Sequence, residues 1–241
     1  MQTSPFLGEL IGTMVLLLLG DGVVANVVLK QTKGNGSGWI VITAGWGFAV
    51  MIGVFVAKAF GSADAHLNPA VTLAFAIATD NWANIVPYMS AQLLGAFLGA
   101  VLVWLLYRQH LAVTEDPFDK LAVFATGPAI RHTADNLTSE AIGTLVLILG
   151  LAGISSKALG VLAIGVGPYL VGMLVWSIGL SLGGTTGYCI NPARDLSPRI
   201  VHALLPIPGK GSSDWPYAWI PVVGPLIGAA IGGLLIRMFV L

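Results

Sequence analysis

Apolar residues run along this chain in long blocks, without the alternation of a half-buried strand or the one-sided stripe of a surface helix. Six blocks, about 6–29, 39–60, 84–107, 137–156, 160–182 and 217–239, are long enough to cross a bilayer, which takes about 20 apolar residues in a helix. They predict six transmembrane helices. Two further apolar runs, from Asn68 to Ala78 and from Asn191 to Leu205, are too short to span, and the second is interrupted by Arg194 and Asp195. Each starts as helices start, with Asn68 or Asn191 as the capping residue and Pro69 or Pro192 at the first helical position, where the missing N–H costs nothing. They predict re-entrant half-helices.

The pattern is written twice. ELIGTMVLLLLG from Glu9 in the first span recurs as EAIGTLVLILG from Glu140 in the fourth. AHLNPAVT recurs as YCINPARD, and Gly95-x-x-x-Gly99 of the third span as Gly224-x-x-x-Gly228 of the sixth. The expected organisation is a single domain over 1–241, with halves 1–107 and 137–241 joined by the polar linker 108–136. Three spans per half is an odd number, so the second half enters the membrane with the opposite orientation and the repeat is inverted.

Non-helical backbone at membrane depth is tolerated where protein or a water-filled cavity satisfies it, so the stretches leading to Asn68 and Asn191 imply a cavity. Inversion brings the two half-helix N-termini together near the midplane, each with about half a positive charge from its dipole. A cation or hydronium there faces two positive ends, whereas a neutral polar molecule can accept hydrogen bonds from the two Asn amides. Glu9 and Glu140, inside spans, are costly unless partnered. The favoured role for them is accepting hydrogen bonds from the re-entrant loops, against a proton relay.

Composition removes other classes. Only 9% of residues are charged and the formal net charge is zero, with a mean hydropathy of +0.87, giving no footing for nucleic-acid binding. The first block lacks a positive n-region, so it is expected to be a span and not a signal peptide. Cys189 is the one cysteine; no metal site or cofactor is expected, and no enzyme motif of the HExxH, GxSxG or phosphate-loop type is present. Lys30, Lys33, Arg108, Lys120, Arg131, Arg199 and Lys210 share one set of loops, and Lys58, Lys157 and Arg237 the other. Counted by the positive-inside rule, the first set would be cytoplasmic.

The paired Asn-Pro-Ala boxes (Asn68, Pro69, Ala70; Asn191, Pro192, Ala193), the six spans and the repeated half resemble the aquaporin family over essentially the whole chain, and Asp195 after Arg194 resembles its glycerol-facilitator branch. The resemblance implies a constriction built from Trp46, Gly179, Tyr188 and Arg194, with His66 lining the pore or shaping the loop and Asp195 anchoring it. Two aromatic rings would wall the carbon edge of a polyol while the guanidinium donates to its hydroxyls. It also implies a homotetramer in the cell membrane, both termini cytoplasmic, opposite to the charge count. Passive passage of glycerol is expected, with water and other small neutral solutes such as dihydroxyacetone or urea, and exclusion of ions and protons.

Three departures from the family pattern stand out. Tyr188 occupies a position where phenylalanine is usual, GSADAH is about two residues longer and carries Asp64, and the loops at 108–136 and 203–216 are short. Two alternatives stay open: a channel mainly for undissociated lactic acid, to which the Tyr188 hydroxyl would be suited, and a proton-coupled secondary transporter using Glu9 and Glu140.

Overall fold

The computed structural model describes residues 3–156 and 165–240, which form helices and loops with no strand. In chain order the helices are α1 (Pro5–Val28), α2 (Trp39–Ala59), α3 (Pro69–Thr79), α4 (Ile85–Val113), α5 (Pro117–Phe124), α6 (Thr133–Ser155), α7 (Gly167–Leu182), α8 (Pro192–Leu204) and α9 (Ile220–Phe239). Helices α1, α2, α4, α6 and α9 are long and apolar enough to cross a membrane, and α7 is a shorter apolar helix of 16 residues. Of the span expected at 160–182, residues 160–164 lie outside the described residues. The outward faces of the spans carry Phe48, Phe55, Leu105 and Ile231 exposed, as suits helices facing lipid. This is a multi-pass membrane protein.

Local chemistry explains where the helices begin. Ser4 caps α1 by accepting from Leu7 N–H, with Pro5 next. The α3 and α8 starts repeat that logic: Asn68 Oδ1 accepts from Ala70 N–H at 2.8 Å, and Asn191 Oδ1 from Ala193 N–H at 3.1 Å and Arg194 N–H at 3.3 Å. Both half-helices therefore start within one residue of the expected positions.

The linker between the halves contains helix of its own. Helix α4 continues to Val113, α6 begins at Thr133, and α5 stands between them, so much of 108–136 is helical. The missed signal was Asp116-Pro117, another cap followed by proline; the Asp116 side chain accepts from Phe118 N–H. Helix α5 packs on α1 and α8 and buries Val123 and Phe124.

Helix α1 packs between α2 and α4, and α6 packs with α7 and α9; α2 meets α7. Each half-helix, however, leans on the last span of the other half, α3 on α9 and α8 on α4. The glycine pairs act within the chain. A Cβ on Gly95 would stand 2.2 Å from Leu10 O, and one on Gly228 2.2 Å from Ala141 O, so α4 seats on α1 and α9 on α6 only because side chains are absent.

Three of the basic residues in the first loop set are built into the fold, and a fourth, Arg131, is exposed and paired at the surface. Arg199 is fully buried against Asp195, Lys120 donates to Pro208 O, and Arg131 pairs with Asp214. Lys210 Nζ donates to the carbonyls of His202, Ala203 and Leu205 at the end of α8. A positive charge held in this way is set by packing, and its position says little about which side of the membrane it faces.

Candidate conduction path

A cavity of about 550 Å³ runs between the halves. Its wall includes Lys58, Asn81, Asn84 and Ser155 toward one face, Asn68 and Asn191 in the middle, and Trp46, Tyr188 and Arg194. The two re-entrant loops that form the middle share one construction. Glu9 Oε1 accepts from Ser62 Oγ at 2.6 Å and His66 N–H at 2.8 Å, and Oε2 accepts from Leu67 N–H at 2.7 Å and Gln92 Nε2 at 2.8 Å. Glu140 Oε1 accepts from Thr186 Oγ1 at 2.6 Å and Cys189 N–H at 2.9 Å, and Oε2 from Ile190 N–H at 3.0 Å. Both carboxylates are buried and engaged on both oxygens, and neither lines the cavity.

These bonds set the backbone. The residues three and one before each Asn have positive φ: Ala65 at 50° and Leu67 at 52°, Tyr188 at 38° and Ile190 at 45°. Such conformations cost about 1–3 kcal/mol each for a residue with a side chain and persist only where surroundings over-determine them. Because the N–H and C=O of a trans peptide point opposite ways, holding the His66 and Leu67 N–H groups on Glu9 turns the Ala65 and His66 carbonyls away from it, toward the cavity these residues line. The Tyr188 and Cys189 carbonyls are turned likewise by Glu140. Each loop thus presents a short row of acceptors.

Between the rows the asparagines meet. Asn68 Nδ2 donates to Ile190 O at 2.8 Å and Asn191 Nδ2 donates to Leu67 O at 2.9 Å. Each amide spends one N–H on the opposite half and keeps one.

Of the four expected constriction residues, Trp46, Tyr188 and Arg194 line the cavity, and the Arg194 guanidinium carbon lies 4.2 Å from the Trp46 ring centroid. Gly179 does not line it. A Cβ on Gly179 would stand 2.8 Å from Tyr188 Cζ and 2.9 Å from its Oη. The space left by this glycine is therefore filled by the tyrosine ring, whereas it was expected to be open to a permeant. The Tyr188 Oη is buried and without a partner, so it is not offered to a solute, which removes the reason for suspecting a hydroxy-acid site. Trp39 completes the packing, edge-on to Tyr188 and donating its Nε1 to Gly179 O at 3.2 Å.

His66 lines the cavity, stacked on Phe75, with Nδ1 3.2 Å from Thr72 Oγ1. Asp64 accepts from Tyr88 Oη at 3.0 Å. Asp195 binds the linker: its Oδ2 accepts from Thr126 N–H and Oγ1, both at 2.7 Å, and Arg199 grips both its oxygens in a fork. Cys189 Sγ is turned into the protein, donating to Asn191 O and Pro221 O. Gln92, Arg199 and Asp21 were missed by sequence reasoning; each was legible as a polar residue within an apolar run.

A family model described as "Major intrinsic protein" matches residues 2–236. A "Probable glycerol uptake facilitator protein" of Thermotoga maritima is 56% identical over 233 residues, 96% of this chain and 97% of that protein. The "Glycerol uptake facilitator protein" of Streptococcus pneumoniae is 54% identical over 235 residues, 96% of this chain and 97% of that one. Among solved structures, the aquaglyceroporin of Plasmodium falciparum superposes with a TM-score of 0.83 at 29% identity, covering 98% of this chain and 95% of that one. With a family model spanning nearly its whole length and relatives above half identity, the chain belongs to the major intrinsic protein family.

Proposed function

We propose that this protein is a passive channel through which glycerol, water and other small neutral solutes such as dihydroxyacetone and urea diffuse. The observation that carries the reading is the stacking of Arg194 on Trp46 at one end of a cavity whose middle has two asparagine amides and two rows of backbone acceptors. A polyol hydroxyl donates to a carbonyl of the row and accepts from an asparagine or guanidinium N–H, so it exchanges water partners for protein partners step by step. Its carbons meet the Trp46 and Tyr188 rings. Water at the middle accepts from the asparagines and turns its own hydrogens outward, which interrupts a proton wire, and cations meet Arg194 and two half-helix N-termini.

In this reading Trp46, Tyr188 and Arg194 form the constriction, with Gly179 seating the tyrosine. Glu9, Glu140, His66 and Asp195 hold the loops. The active form is a homotetramer with one pore per chain, and both termini are cytoplasmic. Arg199, Lys120 and Lys210, committed to the fold, account for the opposite result of simple charge counting. The names of the relatives support glycerol and give the lactic acid alternative no support. Full engagement of Glu9 and Glu140 leaves them no role as coupling carboxylates.

Stopped-flow light scattering on proteoliposomes tests the reading, with glycerol and lactic acid compared at two pH values. The expected result is rapid glycerol equilibration, unaffected by a protonophore. Accumulation against a gradient, or lactic acid uptake exceeding that of glycerol, would overturn it.

A further inference from the structure

Asp21 lies inside α1 with 0% exposure, and neither carboxylate oxygen has a hydrogen-bond donor. A carboxylate so placed is strongly unfavourable unless a positive group compensates it. The preceding residue, Gly20, touches the ring that carries the arginine: a Cβ there would stand 2.2 Å from Trp46 Cζ3. The same ring stacks with the Arg194 guanidinium. Arg194 is the cation of that stack, and the anion next to it in the chain is Asp195. Asp195, however, is taken up by Arg199 and Thr126. Arg194 has no salt-bridge partner among the described residues, and its Nη1 is buried without an acceptor. Trp46 Nε1 is a buried donor in the same condition.

We propose that Asp21 is the counter-charge of Arg194 and a positioning residue of the constriction, joined to Nη1 through buried water. The inference rests on the reading of Arg194 as a constriction residue. A buried water needs two to four polar partners, and Asp21 Oδ1 and Oδ2, Arg194 Nη1 and Trp46 Nε1 supply them. Held from behind in this way, the guanidinium keeps its plane on the Trp46 ring and leaves its remaining N–H groups for the permeant. The pairing reduces the positive field at the constriction without abolishing it.

A double-mutant cycle tests this, using the full-length protein in proteoliposomes. Asp21→Asn, Arg194→Val and the double variant are compared for glycerol and water permeability and, in detergent, for melting temperature. Asp21→Asn, which keeps the size and removes the charge, is expected to lower the glycerol-to-water ratio about tenfold, with a coupling of that order between the two sites. Arg194→Val is expected to lower the melting temperature by stranding Asp21, and adding Asp21→Asn should restore it. Asp21→Val serves if Asn is poorly folded, since it removes charge and polar demand together, and should give the same lowered ratio. A wild-type ratio in either single Asp21 variant, or effects of the two sites that multiply independently, would overturn the inference. Arg194→Val leaving the ratio unchanged would instead overturn the constriction reading on which it rests.

Discussion

In the first half, Glu9 gathers Ser62, His66, Leu67 and Gln92; in the second, Glu140 gathers Thr186, Cys189 and Ile190, and Pro221 of α9 stands where α4 has Gln92. The positive-φ residues fall at matching places before each Asn. Beyond the Asn-Pro-Ala box the halves part. Val71 and Thr72 follow the first, and Arg194 and Asp195 the second. Thr72 joins Gln92 and Asn68 in a neutral cluster, whereas Asp195 joins Arg199 and Thr126 in a buried charged one. The repeated parts shape the backbone, and the unrepeated parts give the path two unlike ends, a neutral one and a charged one.

The largest effect should come from cutting the charged cluster. Asp195→Ala strands Arg199 in the interior, and breaking a buried pair by removing one partner costs about 3–5 kcal/mol. Little folded protein is expected in the membrane fraction by size-exclusion chromatography, and a normal yield would mean that the charged cluster is no more essential than the neutral one. At the charged end, Gly179→His must displace the Tyr188 ring. Overpacking of this kind costs about 1–3 kcal/mol, and glycerol flux should fall about tenfold, well beyond the loss of water flux. Equal losses with a normal melting curve would separate Gly179 from discrimination.

The neutral cluster is the softer counterpart. Gln92→Leu removes one donor of the four on Glu9, a cost of about 1–3 kcal/mol, so the melting temperature should drop by several degrees while the glycerol-to-water ratio stays put. A changed ratio would show that the first loop also discriminates. The smallest effect is expected at Cys189. With its thiol turned toward Asn191 O and Pro221 O, a mercurial should leave glycerol flux in proteoliposomes unchanged. Rapid inhibition would place that thiol in the lumen.

Much of this was legible in the residues, because it follows from rules that act over a few positions. Apolar block length announced the spans, Asn-Pro announced the starts of α3 and α8, and the recurrence of E-x-I-G-T announced the repeat. What escaped depends on contacts between distant segments. That each asparagine spends an N–H on the other half, that Tyr188 fills the space over Gly179, and that Arg199 belongs to Asp195 are all results of packing. Asp21 escaped for another reason: it sits in LLLLGDGVV with no repeat partner, since Gly150-Leu151 of the fourth span is apolar. The charge count treats every loop cation alike, whereas Arg199, Lys120 and Lys210 are hydrogen-bonded into the fold.

The leaning of each half-helix on the far half has a consequence for the order of synthesis. Helix α3 is made early, yet the surface it rests on is α9, which follows it by about 140 residues in the chain (Thr79 to Ile220), and the Asn68 amide waits for Ile190 O. Until then a polar turn must be kept at membrane depth without its permanent partners. Insertion of the first half and completion of its loop are therefore separate events, and truncation before α9 should leave a chain that is inserted but open to proteolysis at Ser62–Asn68. Such a chain has its spans in place with the pore still to be built, and the joining of two halves completes it.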